Sequence, residues 1–419
     1  MSIKSEFIKN LEERGFINQV TDLDALDTAM VEGPKVAYLG FDATADCLHV
    51  GSLVPIMMLR QLQKSGHKPI ILMGGATTRI GDPSDKDEMR RLLDDNAINQ
   101  NVEKLQQIFK RYLKIGDGPT DAVIMNNAEW LGSLNYLDFL RDYGKHFSIN
   151  RMLTMESVKR RLEREQALTF LEFNYMILQA FDFHYLNKNY DCILQLGGQD
   201  QWGNIVSGVD LTRRLNNKTV YGLTTHLIKT ATGAKMGKSA DGAIWLRDDR
   251  LPAYDFWQFW RNTHDDDVGK FLKLFTDLPL DEVTKLESLQ GAELNEAKKV
   301  LADEATKLAH GEEVLPQIHD TVSKVFEAHS GGGVDSLPRV EIVAAELESG
   351  VALVDIFCQA GLANSKGEVR RLIKGRGARL NDLVVDDADR VINNADLNDE
   401  GFVKLSAGKK KHAALFVKA

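Results

Sequence analysis

Two short motifs contain the residue types that phosphate chemistry needs. The first, LHVGSL at 48–53, puts His49 just before a predicted helix, and the second, KMGKS at 235–239, carries Lys235 and Lys238 in a loop. A helix N-terminus offers free N–H groups and partial positive charge, so an imidazole there suits a phosphate or ribose oxygen. Two lysines three residues apart suit the other side of a polyphosphate. Together the motifs predict nucleotide chemistry.

The lysine motif differs from a Walker-type P-loop. That loop has the pattern GxxxxGK[ST] and lies between a strand and its helix. Here the required first glycine is Thr232, while Gly233 precedes Gly237 by only four residues. Spacing and context therefore argue against a Walker-type NTPase, and a solvated turn is the alternative for the loop taken alone.

A second group of polar residues recurs at helical spacing. Tyr175, Gln179 and Asp182 are four and three residues apart, so they share one face of a predicted helix. Buried polar groups need partners, so such a face is poor core and good pocket lining for a ligand with an ammonium and a hydroxyl group. The alternative is a half-exposed mixed face. Asp82 can accept a cationic amine, although an ordinary Asp-Pro turn also explains it.

Three other candidates have weaker signals. Lys86 and Arg90, one helical turn apart, suit the same phosphates or a solvated helix face. Cys47 precedes His49 by two residues, but no third group supports a Cys-His nucleophile. His264 is followed by three aspartates, which an acid-rich helix N-terminus explains better than a metal ion does. We therefore predict no protein-ligated metal.

Composition limits the class of protein. The chain has 419 residues, of which 43% are hydrophobic and 27% charged, as expected for a globular protein of two or three domains. No apolar run approaches the ~20 residues that span a bilayer, and the N-terminus lacks a signal core. The three cysteines are widely spaced. We expect a cytoplasmic protein with no membrane partner.

Strands and helices alternate over the first 230 residues, which predicts an α/β fold with a doubly wound parallel sheet. The predicted strands are 35–41, 69–73, 122–125 and 190–196, and the predicted helices include 51–64 and 88–113. Ligands of such sheets bind beyond the carboxyl ends of the strands. His49 and the glycine pairs at 74–75 and 197–198 follow strands at that edge, so three loops are expected to meet at one site.

The pattern divides the chain into four parts. We predict a Rossmann-like nucleotide-binding domain over 1–230 with a helical insertion at about 129–189, then the lysine loop and an all-helical domain over 231–328, a linker at 329–337 and a small module over 338–419. The module is strongly basic over one stretch, with a local formal charge of +5 from 366 to 379. A second basic cluster lies at 409–411. Such a surface suits a nucleic-acid backbone, and a solvated charged helix is the alternative.

At this point the chain resembles the bacterial-type tyrosyl-tRNA synthetases, which belong to class I. The resemblance rests on GFDATADCLHVGS at 40–52, GGAT at 74–77, IGDPS at 80–84, NYMILQAFD at 174–182, GGQDQWGN at 197–204 and KMGKS at 235–239. It implies that L-tyrosine and ATP, with Mg²⁺, form tyrosyl-adenylate and pyrophosphate, and that tyrosine then passes to the 3′ end of tRNA(Tyr). It also implies a homodimer, for which we expect an interface near 130–146. The final module resembles a small α+β RNA-binding fold of a ribosomal protein.

The resemblance implies a role for each matching residue. Those expected to bind tyrosine are Tyr38, Asp82, Tyr175, Gln179, Asp182 and Gln201. Those expected to contact ATP are Gly40, Asp42, His49, Gly51, Ser52, Gly198, Asp200, Met236, Lys238 and Ser239. Those expected to stabilise the phosphates during catalysis are Thr44, His49, Lys86, Arg90, Lys235 and Lys238. Those expected to bind tRNA are Lys366, Arg370, Arg371, Lys374 and Arg376.

The sequence departs from the family pattern at three positions. Ser52 replaces the second histidine of the first motif, Ala43 stands where proline is common, and Gln199 where serine is common. A tryptophanyl enzyme is the nearest alternative, but Tyr38 and Asp182 favour a phenol. A non-catalytic RNA-binding protein on the same fold is the second alternative, and only Ser52 supports it.

Overall fold

The computed structural model describes residues 3–84, 92–231, 233, 236–239, 242–330, 338–398, 401–408 and 411–418. The chain forms two compact units, Met1–Leu315 and Pro316–Ala419. The predicted linker begins at 329, whereas helix α15 (Leu315–Ser330) includes residues 329 and 330, and 331–337 lie outside the described residues.

A six-stranded sheet forms the centre of the first unit. In chain order its strands are β1 (Ile17–Val20), β2 (Val36–Phe41), β3 (Lys68–Met73), β4 (Val123–Asn126), β5 (Cys192–Gly198) and β6 (Tyr221–Thr225). Their spatial order is β1-β6-β5-β2-β3-β4. Four of the five pairings are parallel, which confirms the predicted α/β fold.

The edge strand β1 was not among the predicted strands, and it pairs antiparallel with β6. Its sequence, INQV, has no residue in the buried class. An edge strand needs little apolar surface, so the hydrophobic pattern does not reveal it.

Helices surround this sheet. The first four are α1 (Glu6–Glu13), α2 (Leu23–Val31), α3 (Leu53–Lys64) and α4 (Asp95–Tyr112). The insertion contains α5 (Ala128–Leu131), α6 (Tyr136–Asp142), α7 (Ile149–Leu153), α8 (Glu156–Glu163) and α9 (Phe170–Tyr190), and α10 (Trp202–Asn216) follows β5. The short hairpin of β7 (Lys238–Ser239) and β8 (Gly242–Ala243) leads to the all-helical part, α11 (Ala253–Arg261), α12 (Val268–Phe275), α13 (Leu280–Glu287) and α14 (Leu294–His310).

Three predicted boundaries are wrong by a few residues. The long helix begins at Asp95 rather than near 88, because the Asp94 side chain caps it by accepting from the Ala97 N–H. The predicted strand from 190 begins at Cys192, because α9 continues to Tyr190 and ends at Asp191 in the left-handed conformation. The predicted helix from 51 begins at Leu53, after a 3₁₀ turn over Val50–Ser52.

A capping box fixes the start of α9, the helix that carries the polar stripe. Thr169 accepts from the N–H of Glu172, and the Glu172 carboxylate accepts from the N–H of Thr169. Arg161 also contacts Glu172 at 3.3 Å, and both side chains are only 2% exposed. These contacts within the insertion therefore fix the residue at which α9 begins, and with it the position of the polar stripe.

The second unit contains a sheet with order β12-β11-β14-β15-β9, in which only the β15–β9 pairing is parallel. These strands are β9 (Arg339–Val343), β11 (Ala378–Leu380), β12 (Leu383–Val384), β14 (Phe402–Ala407) and β15 (Lys411–Lys418). Its other elements are α16 (Ala344–Ser349), β10 (Val351–Ala352), α17 (Leu353–Gln359), α18 (Lys366–Lys374) and β13 (Val391–Ile392). One apolar core, including Phe357, Ile373 and Leu415, joins them, as the predicted α+β module requires. No helix among the described residues is long and apolar enough to cross a bilayer.

Candidate active site

A cavity of about 470 Å³ lies at the carboxyl ends of β2 and β5. The predicted site residues that line it are Tyr38, Gly40, Asp42, Thr44, His49, Gly51, Ser52, Asp82, Tyr175, Gln179, Asp182, Gly198, Asp200 and Gln201. The side chains of Lys238 and Ser239, and the whole of Lys86, Arg90 and Lys235, lie outside the described residues. The fold thus brings three loops and one helix face together, as the sheet topology requires.

Asp182 is a buried acid at one wall of this cavity, with 2% of its surface exposed. The indole N–H of Trp130 donates to Oδ1 at 2.7 Å, and the Asn127 amide donates to Oδ2 at 3.0 Å. Burial raises the pKa of Asp182 to about 7, the two donors oppose that shift, and the charge of Asp42 adds to it. The carboxyl group thus changes charge near neutral pH.

The hydroxyl of Tyr38 lies near this acid. The side chain is 1% exposed and lines the cavity, and its hydroxyl has no hydrogen-bond partner among the described residues. Burial, followed by the charge of Asp182, raises the pKa of Tyr38 well above its ordinary value. Burying a hydroxyl group without a hydrogen-bond partner lowers the free energy of unfolding. A ligand atom that accepts or donates a hydrogen bond at this point would satisfy it.

A chain of amides organises the opposite wall. The Gln201 amide donates to Asp82 Oδ2 at 2.7 Å, and its own carbonyl accepts from Asn204 at 3.1 Å. Asn204 also donates to the Gln179 carbonyl at 3.0 Å. Because the amides hold each other, Asp82 and Gln179 are oriented before any ligand arrives.

Tyr175 and Asp42 contact each other directly. The tyrosine hydroxyl donates to Asp42 Oδ2 at 3.0 Å, and Thr77 donates to Oδ1 at 2.8 Å. Burial is the largest cause that raises the pKa of Tyr175, and the Asp42 charge is the next. The sequence assigned these two residues to different substrates, whereas the structure links them across the cavity.

The His49 ring is oriented by its own turn. Its Nδ1 accepts from the N–H of Gly51 at 3.0 Å, so the neutral ring carries its proton on Nε2. The turn then leads into α3, and the Ser52 side chain makes no cap hydrogen bond there. The ring therefore caps the turn that starts the helix.

The base of the lysine loop packs on this turn. Gly237 has φ +101°, and a Cβ there would lie 2.5 Å from Nδ1 of His49. A Cβ on Gly51 would lie 2.8 Å from the carbonyl oxygen of Met236, which is buried. Both positions need glycine because the two motifs approach backbone to backbone. The motifs, about 190 residues apart in sequence, are thus in contact.

Sequence reasoning missed several residues of the site. Asn127, Thr77, Gln195 and Asn204 hold or line the pocket, and none was predicted. Asn127 follows β4 at the carboxyl edge, which is a signal that could have found it.

Trp130 lies in the range predicted for the dimer interface, 130–146, and its side chain belongs to the pocket. It is 6% exposed, it stacks on Tyr185 with ring centroids 4.4 Å apart, and its indole binds Asp182. A buried pocket residue is not available to a second chain. Its neighbours Tyr136 and Leu137 are 56% and 73% exposed.

The second unit has a basic face on α18. Val369 and Ile373 are buried in the core of the unit, while Arg370, Arg371 and Lys374 are exposed. The helix is followed by a turn in which Arg376 has φ +56° and Gly377 accepts a hydrogen bond from the Gly408 N–H at 2.7 Å. Of the second predicted basic cluster, Lys411 is described, and 409–410 lie outside the described residues. Lys366 pairs with Asp355.

The chain is similar to known proteins over nearly its whole length. Residues 30–327 match the family described as tRNA synthetases class I (W and Y), and 332–415 match the family described as tyrosine–tRNA ligase SYY-like C-terminal domain. A tyrosine–tRNA ligase of Caulobacter vibrioides (strain NA1000 / CB15N) is 58% identical over 410 residues, 98% of this chain and 97% of that protein. One of Rhodospirillum rubrum is 58% identical over 414 residues, 99% and 98% of the two chains.

A solved structure gives the same result for the fold. A C-terminally truncated mitochondrial tyrosyl-tRNA synthetase of Aspergillus nidulans has a TM-score of 0.69 and 31% identity, over 77% of this chain and 95% of that chain. The fold and the cavity therefore define a class I aminoacyl-tRNA synthetase, an enzyme with ATP as a substrate. Within that class, the chain belongs to the tyrosyl-tRNA synthetases. This confirms the predicted family and sets aside the tryptophanyl and non-catalytic alternatives.

Proposed function

We propose that this cavity binds L-tyrosine with its phenol between Asp182 and Tyr38. The observation that carries the proposal is the buried carboxyl group, held by two donors, beside a buried hydroxyl that has no partner among the described residues. In the ionised state the carboxylate accepts the phenol proton in a hydrogen bond, and the Tyr38 hydroxyl donates to the phenol oxygen. Phenylalanine would bury both groups without that partner, at a cost of about 1–3 kcal/mol for each unsatisfied group.

The amino group of tyrosine is proposed to bind the opposite wall. Asp82 supplies a carboxylate, and Gln179 supplies an amide carbonyl that already accepts from Asn204. The Tyr175 hydroxyl lies between this wall and Asp42. Gln201 donates to Asp82. Together with the amide side chain of Asn204 that is hydrogen-bonded to it, Gln201 is proposed to orient the substrate carboxylate. The ammonium group of tyrosine can therefore bind among these acceptors without a large rearrangement of the side chains.

ATP is proposed to occupy the part of the cavity near the two motifs. Gly40, Gly51 and Gly198 let the nucleotide approach the backbone, Asp42 and Asp200 suit its ribose hydroxyls, and Ser52 and Met236 flank the turn. A tyrosine carboxylate oxygen attacks the α-phosphorus, the bond to the β-phosphate oxygen breaks, and pyrophosphate leaves as tyrosyl-adenylate forms. No enzyme nucleophile is needed, so positioning and electrostatics supply the catalysis.

Charge on the leaving pyrophosphate is proposed to be balanced from two motifs. The His49 Nε2–H and the Thr44 hydroxyl lie on one side, and Lys238 with Ser239 forms β7, which directly follows Gly237, the residue that approaches His49. Mg²⁺ is proposed to arrive with ATP as part of the substrate. The predicted phosphate contacts of Lys86, Arg90 and Lys235 remain predictions. The division of the chain into four parts also remains a prediction.

Amino-acid-dependent ATP–pyrophosphate exchange tests the proposal. We expect exchange with tyrosine and not with tryptophan or phenylalanine at equal concentration, because only a phenol satisfies both buried groups. Loss of tyrosine-dependent exchange in Tyr38→Phe is expected to be smaller than in Asp182→Ala, since only the carboxylate accepts a hydrogen bond as a charged group. Equal exchange with phenylalanine would contradict the phenol assignment.

The basic face of the second unit is proposed to bind tRNA(Tyr). Arg370, Arg371 and Lys374 are exposed along one side of α18, and the Gly377–Gly408 hydrogen bond brings the turn at Arg376 close to the hairpin that leads to Lys411. Lys411 pairs with Ala407 in that hairpin and therefore lies near the carboxyl end of α18, while Lys366 is exposed at the start of the same helix. Phosphate contacts of this kind supply most sequence-independent affinity for nucleic acid.

Replacing Arg370, Arg371 and Lys374 together by glutamine tests this face. We expect tRNA aminoacylation to fall at least about tenfold while tyrosine-dependent exchange stays unchanged, because each lost phosphate contact weakens only the RNA step. Deletion of the residues from 338 onward should likewise lower tRNA aminoacylation and leave tyrosine-dependent exchange unchanged. A parallel loss of both steps would refute the division of labour.

A homodimer is proposed through the exposed apolar surface of the insertion. Leu137, Ile149 and Phe170 are 73%, 58% and 69% exposed, and Leu162 is 50% exposed. We propose that these four side chains, all within the insertion, form one patch, since contiguous exposed apolar patches mark protein interfaces. Light scattering should show a dimer at micromolar concentration and a smaller species for Leu137→Asp. The cytoplasmic location stays a prediction, which cell fractionation tests.

A further inference from the structure

Asp46 lies between the catalytic residues of the first motif but does not line the cavity. Thr44 and His49 flank it in sequence and do line the cavity. The Asp46 side chain is 18% exposed and turns to the outside of the site, where two cationic side chains meet it. It therefore touches no substrate.

The partners of Asp46 come from two distant parts of the chain. Lys104 of α4 donates to Oδ2 at 3.0 Å, and Arg250 donates to both carboxylate oxygens at 2.6 Å. Arg247 donates to the backbone carbonyl of Asp46 at 3.0 Å. The hydrogen bonds from Arg250 and Lys104 hold the pKa of Asp46 down to about 2, so the carboxylate stays charged throughout the working range.

Helix α4 also holds the same loop through a second contact. The Asn101 amide donates to the carbonyl of Ala43 at 2.8 Å, and the N–H of Ala43 donates to the Thr78 hydroxyl at 2.8 Å. The loop before His49 is thus pinned to α4 at two points, Ala43 and Asp46.

The segment that leads to Arg250 is hydrogen-bonded to the His49 turn. The Val50 N–H donates to the carbonyl of Ile244 at 2.9 Å, and the Leu246 N–H donates to the carbonyl of Leu48 at 2.9 Å. On its other side the Ile244 N–H donates to the carbonyl of Gly237 at 3.2 Å. The residues 244–246 therefore connect the first motif to the base of the lysine loop.

We propose that Asp46 is a positioning residue for adenylate formation, whose carboxylate holds the segment 244–250 in register with the His49 turn through Arg250. The phosphate-binding groups of the two motifs then keep a fixed spacing. This proposal rests on the proposed function, because it assumes that both motifs act on the phosphates of ATP. Electrostatic catalysis depends on such spacing, since a small displacement of a donor lowers its effect on the transition state.

Asp46→Asn in the full chain tests the proposal by pyrophosphate exchange. We expect kcat to fall about tenfold or the KM for ATP to rise by a similar factor, with the KM for tyrosine unchanged within about twofold. The matched control is Asp249→Asn, which removes an exposed carboxylate that pairs with Arg247 in the same segment and makes no described contact with Asp46. That control should leave all three parameters near wild type.

Deuterium uptake gives a readout that does not depend on activity. In Asp46→Asn we expect faster exchange at the amides of Val50 and Leu246, because their hydrogen bonds join the two segments. Unchanged kinetics together with unchanged amide protection would overturn the proposal, as would an equal rise in the KM values for tyrosine and ATP. If Asp46→Asn fails to fold, the Arg250→Gln variant, at the exposed end of the same network, replaces it. It should likewise lower kcat or raise the KM for ATP while leaving the KM for tyrosine unchanged.

A double-mutant cycle tests whether Asp46 and Arg250 act through their direct contact or through their separate charges. If Asp46 acts through Arg250, the double variant should lose no more than about the larger single loss, because the second substitution removes an interaction already broken. Additive losses would refute the link. Absence of tyrosine-dependent exchange in the wild-type protein would instead contradict the proposed function itself.

Discussion

If the phenol of tyrosine binds Asp182 as proposed, the buried carboxyl group makes tyrosine activation depend on pH in a definite direction. Its pKa is raised to about 7, chiefly by burial, in the unliganded protein. A phenol can donate to the ionised carboxylate, whereas the protonated form offers its own donor and a weaker acceptor. At one pH unit below the pKa only about one tenth of the molecules are ionised. We therefore expect kcat/KM for tyrosine at about pH 6 to be about tenfold below its plateau above pH 8.

The assay is pyrophosphate exchange at subsaturating tyrosine between about pH 5.5 and pH 8.5, since kcat/KM reports the pKa values of the free enzyme. The phenol adds a donor to Asp182 in the complex, so kcat should show an inflection at lower pH than kcat/KM does. Asp182→Asn has no titrating group there, and its profile should lose the inflection. Its plateau should lie about 10- to 150-fold below wild type, which is the loss of one hydrogen bond to a charged acceptor. Asp182→Ala should abolish activation in a protein that stays folded.

Two results would refute this reasoning. One is a wild-type kcat/KM that is flat or rises as the pH falls, because protonation would then favour binding. The other is an Asp182→Asn variant that keeps the inflection, because another group would then be responsible. The KM for ATP serves as the internal control and should not follow the same titration, since Asp182 lies in the part of the cavity that is proposed to bind tyrosine.

The same shift affects stability with a definite sign. The folded-state pKa of Asp182, about 7, lies above its ordinary value of 3.8, so its contribution to the unfolding free energy is present below that lower value and is lost as the pH rises through 7. The full loss amounts to about 4 kcal/mol. The gain in thermal stability of Asp182→Asn over wild type should therefore be larger at about pH 8 than at about pH 5.

Three further predictions concern other parts of the chain. Gly237→Ala should lower exchange at least about tenfold because its Cβ meets an imidazole nitrogen at 2.5 Å, whereas Gly233→Ala, also at positive φ but with no atom of the described residues within 4 Å, should lose much less. Glu172→Ala should destabilise the protein by about 3–5 kcal/mol because it removes the carboxylate that balances the charge of the buried Arg161, while Glu163→Ala, in an exposed pair, should cost less than about 1 kcal/mol in thermal denaturation. The dissociation constant for tRNA should rise steeply between about 50 and about 200 mM salt while the KM for tyrosine changes little, and parallel changes in both would contradict a phosphate-binding surface.

Local pattern was sufficient for the framework of the fold. The alternation of short apolar runs with helical periods predicted β2 to β5 and the edge where the ligand binds. The Tyr175, Gln179 and Asp182 stripe was visible because helical spacing is fixed by 3.6 residues per turn. The edge strand β1 and the start of α4 were not predictable in this way, because an edge strand needs little apolar surface and a helix start depends on a capping contact.

What the sequence by itself determined about this protein was the identity of the chemical groups and their assignment to two motifs, a polar stripe and a basic module, because residue type and spacing suffice for those. Only the tertiary structure decided which groups meet. It placed Trp130 and Asn127 on Asp182 and tied Asp46 to Lys104 and Arg250. These contacts join residues about 50 to 200 positions apart, and burial, which shifts the pKa of Asp182, exists only after such segments have packed together.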